Sequence, residues 1–180
     1  MLPPVPIVFV FIVCLAGVVL TVRAVSSRQT LGKLKLGDPI PSVTSENQDG
    51  KAVNLAEAGS GRYTLVYFYP KAMTPGCTDQ ACSLRDAYSE LQNKGVRIYG
   101  VSLDKTDSLK KFREKEHLPF ELLSDRGKKI TAAFGVPLIL GAFARRQAYL
   151  FKNGRLVWMS SKASTDQQAQ VVRRVLAEQR

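Results

Sequence analysis

The sequence predicts an α/β domain, a mixed central sheet flanked by helices, with a hydrophobic helix ahead of it. Three observations carry that expectation. Strand-like and helix-like segments alternate from residue 63 onward, the chain closes on a hairpin signal at Asn153-Gly154, and an uncharged apolar run occupies the amino terminus. With 180 residues and 45% hydrophobic content, the chain can bury one good core, so one domain plus an appendage is the natural count. There are no internal repeats and no low-complexity tract.

Residues 2–22 carry no charge, and about twenty such residues span a bilayer as a helix. Two readings are open: a retained anchor over 1–24, or a signal peptide cleaved after Ala24, with Val22 and Ala24 as the small-residue pattern. No Lys or Arg precedes the run, whereas Arg23, Arg28, Lys33 and Lys35 follow it. Positive flanks favour the cytoplasmic side, so the expectation is a single-pass membrane location through residues 2–22 with the domain inside. Export after cleavage is the alternative.

Residues 25–35 read as a basic linker, and the folded domain is expected over 36–180. Asp49-Gly50 between Val43 and Val53 suggests a hairpin. The core sheet begins at Tyr63 and its first strand stops at Pro70. Ala81, Leu84, Tyr88 and Leu91 recur at helical spacing, and 93–95 closes that helix. A strand over 96–103 follows, then an amphipathic helix over 107–116 with Leu109 and Phe112 inward, ended near Pro119. A short strand at 120–123 precedes a short helix at 128–134 that Gly135 ends. Strands at 146–151 and 155–159 flank Asn153-Gly154, a type I′ turn signal. Ser164 and Gln167 have capping-box spacing ahead of a final helix with Val171, Val172, Val175 and Leu176 inward.

The chemistry concentrates in residues 67–86. Pro75 sits where a first helical position tolerates proline, which places Cys77 in the first turn of a helix. There the unpaired N–H groups and the positive end of the dipole favour a thiolate, the form that acts as nucleophile. Cys82 follows five residues later. Five residues advance a helix by about 7.5 Å and 140°, so the two Cα atoms lie roughly 8 to 9 Å apart. A disulfide needs about 7 Å or less. Any bond between the two therefore requires the first turns to unwind.

Tyr67-Phe68-Tyr69-Pro70-Lys71, Thr74-Pro75-Gly76-Cys77-Thr78 and Ala81-Cys82-Ser83-Leu84-Arg85-Asp86 resemble the peroxiredoxins, in the bacterioferritin-comigratory protein or peroxiredoxin Q branch. The resemblance runs from about residue 36 to 176 and includes Gly37-Asp38-Pro39-Ile40-Pro41 and Phe134-Gly135-Val136. It implies a thioredoxin-like fold. It also implies a thiol-dependent peroxidase acting on hydrogen peroxide and organic hydroperoxides, in which Cys77 becomes a sulfenic acid and Cys82 resolves it as an intramolecular disulfide that thioredoxin reduces.

Such a reaction needs donors around the peroxide oxygens. Thr74 can supply a hydroxyl, Gly76 and Cys77 backbone N–H groups, while Pro70, Pro75 and Tyr69 shape the substrate pocket. The resemblance implies an arginine at the start of a late strand, three residues before an aromatic and shortly before an Asx-Gly turn. Arg146 fits, with Arg145 as its rival. No metal, haem or nucleotide cofactor is required, and a monomer or weak dimer is expected. A membrane-tethered thiol-disulfide carrier is the alternative function, although such carriers usually present Cys-x-x-Cys.

The remaining features narrow the reading. The net charge of +11, from 26 basic and 15 acidic residues, suits an anionic surface. The basic residues are scattered without a base-stacking motif, so nucleic acid is not an expected partner. His117 has no apparent partner, which removes a base for Ser-His-Asp or Cys-His hydrolysis. Cys14, in an apolar run, reads as a reduced structural thiol. Two thiolates without clustered His or Met give too few ligands for a metal. Ala72-Met73 makes the pocket rim greasy, and 137–144 is unusually apolar for a loop, with sheet packing, a dimer contact or lipid as its three candidate partners.

Overall fold

The computed structural model describes residues 34–59 and 61–179. Seven strands form one sheet: β1 (Thr44–Asn47), β2 (Ala52–Asn54), β3 (Tyr63–Phe68), β4 (Val96–Ser102), β5 (Glu121–Ser124), β8 (Gln147–Lys152) and β9 (Arg155–Ser160), in the order β2-β1-β5-β4-β3-β8-β9. Strands β3, β4 and β5 run parallel, and β1, β2, β8 and β9 join antiparallel, so the sheet is mixed. Every residue of β3 is buried, because this inner strand is covered on both faces.

One face carries α2 (Pro75–Asp86), α3 (Tyr88–Asn93), α4 (Thr106–Lys115) and α6 (Gln168–Glu178) over a cluster that includes Leu65, Tyr67, Leu84, Phe112 and Val172. The other carries α1 (Leu55–Ala58) and α5 (Lys129–Phe134) over Val66, Phe68, Ile130 and Phe134. Short helices need explicit capping. Asn54 Oδ1 accepts from Ala56 and Glu57 for α1, and the buried Asp125 carboxylate accepts from Ile130 and Thr131 for α5.

Turn chemistry behaves as the residues dictate. Asn153 and Gly154 take φ of 50° and 74°, the left-handed pair a type I′ hairpin needs. Gly100 on β4 has a different reason: a Cβ there would lie 2.7 Å from the Tyr67 hydroxyl, so glycine lets that ring cross the neighbouring strand.

Three local expectations are corrected. The cysteine helix breaks at Ala87 into α2 and α3, which the periodicity does not register because Ala81, Leu84, Tyr88 and Leu91 still meet one core cluster. Ser164 Oγ accepts from the Gln167 N–H at 3.2 Å, yet α6 begins at Gln168, after a turn. The apolar segment 137–144 folds as a small hairpin of β6 (Leu138–Ile139) and β7 (Phe143–Ala144), with Leu140 92% exposed at its tip.

The expected membrane location is also corrected: among the described residues no helix is long and apolar enough to cross a membrane. Residues 2–22, the anchor and signal-peptide readings, and Cys14 lie outside the described residues. Lys35, expected in a linker, is tied to the domain through its N–H to Asp38 Oδ2 at 2.7 Å, and Leu34 packs in the core.

Candidate active site

The site lies where α2 leaves the carboxyl end of β3. After Tyr69 the chain turns through Pro70 to Thr74, with Met73 at φ 61°, and α2 starts with Pro75 as its first helical residue. Cys77 therefore occupies the first turn, 1% exposed, with its sulfur against the Tyr67–Ala81–Leu84 cluster. Arg146, just before β8, reaches over it: Nη2 donates to Cys77 Sγ at 3.3 Å. Arg145 is exposed, and its backbone N–H bonds Pro137 O, so of the two arginines it is Arg146 whose guanidinium meets the sulfur. One residue of difference decides this because adjacent side chains leave an extended backbone on opposite sides.

Arg146 is held by groups the sequence analysis did not single out. Its Nη1 donates to Gln80 Oε1, and Gln80 Nε2 donates to Gln168 Oε1 at 3.1 Å. Both glutamines are fully buried, one on α2 and one opening α6. Gln80 stands three residues after Cys77, on the helical neighbour position, a signal that could have found it. Gln168 is 88 residues from its partner, and no local pattern points to it.

The turn ahead of α2 is fastened by a second unsuspected residue. Asp104, just past β4, has a buried carboxylate that accepts from the Ala72 N–H at 2.8 Å and Ser102 Oγ at 3.0 Å, and it pairs with Lys71 at 3.0 Å. The 70–74 turn is thereby tied to the neighbouring strand's end. Thr74 Oγ1 donates to Lys71 O at 2.9 Å and does not cap α2, so its hydroxyl offers lone pairs rather than a proton to a ligand.

The Cys77 N–H bonds Thr74 O at 3.1 Å and is thus partly engaged, whereas the Gly76 N–H lies in the first turn, where it has no partner within the helix. A Cβ on Gly76 would come 3.3 Å from Thr165 Cγ2, a tight contact, and 3.6 Å from Arg146 Nη2, an ordinary one. Pro70 is half-buried, and Pro75 is exposed at the helix start. Tyr69 is fully enclosed, stacked on Tyr67 with centroids 5.6 Å apart and tilted against Phe112. It backs the site rather than facing its opening. Burial pushes the Tyr67 phenol well above its ordinary range, with Tyr69 and Cys77 adding and Arg146 opposing.

Cys82 sits on the next turns of the same unbroken helix, half-buried, and both sulfurs are free thiols. Its Sγ donates to Glu116 Oε2 at 3.7 Å, at the end of α4, and Arg85 Nη1 donates to the Glu116 backbone carbonyl at 2.9 Å. Burial pushes the Cys82 thiol up; Arg85 opposes this and Glu116 reinforces it. A shallow groove of about 510 Å³ opens beside Arg146, lined among others by Ile139, Arg145, Ser164 and Thr165. His117 is exposed at φ 50°. Among the described residues no cluster of His, Cys, Asp or Glu could hold a metal.

Residues 36–159 match the AhpC/TSA family. The chain is 44% identical over 130 residues to the chloroplastic peroxiredoxin Q of Oryza sativa subsp. japonica, covering 71% of this chain and 59% of that protein. It is 51% identical over 106 residues to peroxiredoxin Bcp of Escherichia coli, covering 59% and 67% respectively. The chain thus spans about 59% of the length of the rice relative. Among solved structures it resembles peroxidoxin BcpB of Mycobacterium tuberculosis, with a TM-score of 0.75, 30% identity, and 82% of this chain and 99% of that one covered. It also resembles the Xanthomonas campestris bacterioferritin comigratory protein, studied for alkyl peroxide reduction, with a TM-score of 0.72, 26% identity, and 81% and 97% covered.

Proposed function

This chain belongs to the AhpC/TSA family, with the thioredoxin-like fold of its peroxiredoxins, and on that premise we propose that it is a thiol-dependent peroxidase. The single observation that carries the proposal is the guanidinium of Arg146 on the sulfur of Cys77 at the first turn of α2.

Cys77 Sγ attacks the terminal oxygen of a hydroperoxide; the S–O bond forms as the O–O bond breaks, and water or an alcohol leaves. Arg146 and the Gly76 N–H stabilise the charge that develops on the oxygens. Thr74 Oγ1, whose own proton goes to Lys71 O, accepts the peroxide's hydrogen bond. Pro70, Pro75 and Gly76 leave the approach to the sulfur clear, and Tyr69 supports it from behind. Cys82 then attacks the Cys77 sulfenic acid to give a disulfide, after α2 unwinds locally, and a dithiol protein such as thioredoxin restores both thiols. No metal or organic cofactor enters this cycle.

Residues 36–180 form the catalytic domain in this reading, working as a monomer or weak dimer. Organic hydroperoxides are proposed substrates beside hydrogen peroxide, because Met73, Ile139 and Leu140 present exposed apolar surface and Ile139 lines the groove at Arg146. Peroxide consumption by the purified protein with thioredoxin and its reductase tests the proposal. Cys77→Ser abolishes that consumption, and Cys82→Ser retains one turnover per chain. Disulfide reduction without peroxide consumption would instead identify an electron carrier.

A further inference from the structure

We propose that Glu116 is a catalytic residue of the resolving half-reaction, the proton acceptor for Cys82 as it attacks oxidised Cys77. This rests on the peroxidase reading above. The Cys82 thiol already donates to Glu116 Oε2 at 3.7 Å, and the Glu116 side chain is only 16% exposed, so it touches a reacting atom in a partly dry setting. Arg85 fixes the residue from the helix side by bonding its backbone carbonyl at 2.9 Å.

For Glu116 to serve, Cys82 must stay where it is while Cys77 travels, and the two ends of α2 differ in that sense. The first turn has no side-chain cap, and it contains Gly76, a residue that disfavours a helix relative to alanine. The later turns are tied down. Ser83 Oγ accepts from the Ala169 N–H at 3.1 Å, Arg85 bonds Glu116, and Leu84 is fully buried. The amino-terminal turn therefore releases first and swings Cys77 towards a Cys82 still seated against Glu116.

The step balances as follows. Glu116 takes the thiol proton, the Cys82 sulfur attacks the sulfur of Cys77–S–OH, the S–S bond forms and the S–O bond breaks. The departing hydroxide receives the proton, directly from Glu116 or through solvent, and leaves as water. Cys77 sulfur is reduced and Cys82 sulfur is oxidised by the same amount. Burial keeps Cys82 a thiol near neutrality, so a base in contact relieves the shortage of free thiolate. The other charged and titratable groups facing this sulfur are Arg85 and Asp86 of α2, Tyr67 of the sheet, and Lys115, 3.9 Å from Glu116 Oε1.

The test is acid-quenched mass analysis of the full chain after one equivalent of hydrogen peroxide, following Cys77–Cys82 disulfide against time in wild type and Glu116→Gln. The expected result is disulfide formation slowed at least about a hundredfold at pH 7, the low end of what a positioned base contributes. Any smaller slowing, or an acceleration, overturns the inference. If the Gln variant does not fold, Glu116→Asp decides: drawing the carboxylate back by one methylene must slow disulfide formation at least about tenfold, and a smaller slowing overturns the inference. Peroxide loss in Cys82→Ser reads the first step alone. Absence of that loss fails the peroxidase reading, whereas normal loss with undiminished resolution in Glu116→Gln fails only the role of Glu116.

Discussion

Arg146 Nη2 lies 3.3 Å from Cys77 Sγ, two groups 69 residues apart in the chain that meet where the start of β8 passes the first turn of α2. The contact exists because β8 pairs antiparallel with β3, with Phe68 opposite Gln147, and this register sets Arg146 beside the turn into the cysteine helix. A one-residue slip would send Arg146 to the opposite face and bring Arg145 in.

Removing that guanidinium is expected to slow the reaction of Cys77 with hydrogen peroxide by about 10²–10³, the usual loss for one preorganised donor. Arg145→Ala, at an exposed position, is expected to change it by less than about threefold. Stopped-flow measurement of the second-order rate for both variants checks the pair, and equal losses would remove the special place of Arg146.

Oxidation is expected to melt the start of α2 and leave its neighbours intact. Wound helix geometry holds the two Cα atoms roughly 8 to 9 Å apart, beyond disulfide reach. Hydrogen exchange on the disulfide form should show lost protection over residues 75–81, with β3, β4 and α4 still protected. Undiminished protection at 75–81 would contradict a bond between Cys77 and Cys82.

Cys82 in a Cys77→Ser background is expected to alkylate with a pH midpoint above its ordinary 9.0, because burial and then Glu116 disfavour the thiolate against the opposing Arg85. Glu116→Gln should move that midpoint down while slowing disulfide formation, two effects of opposite sign that iodoacetamide kinetics and mass analysis separate. The linked stability has one direction. A raised folded-state pKa means the contribution is fully present below pH 9.0 and lost as pH rises through the folded value.

Asp104→Ala is expected to destabilise the fold by about 1–3 kcal/mol, since it leaves the Ala72 N–H and the Ser102 hydroxyl without their buried acceptor. The exposed Lys71 partner adds little to that figure. Because the 70–74 turn loses its tie, the peroxide rate should fall too. Urea unfolding and the same stopped-flow assay check both effects, and an unchanged midpoint would show that the turn holds itself.

What the sequence determined by itself is what short-range chemistry controls. Most strand and helix positions followed from periodicity, two of the three hairpins from Asp49-Gly50 and Asn153-Gly154, and the place of Cys77 in a first turn from Pro75. Those are interactions among residues a few positions apart, and the pattern of side chains records them directly. The tertiary structure alone decided between Arg145 and Arg146, brought Gln168 under Gln80, set Asp104 beneath the 70–74 turn and seated Glu116 on Cys82. These partners are 32 to 88 residues apart, and β-pairing register and helix docking, rather than local propensity, bring them together. The break at Ala87 escaped for a related reason: a one-residue interruption leaves the apolar rhythm intact. The amino-terminal apolar run shows the opposite limit, since hydropathy alone suggested a membrane location that the described fold does not support.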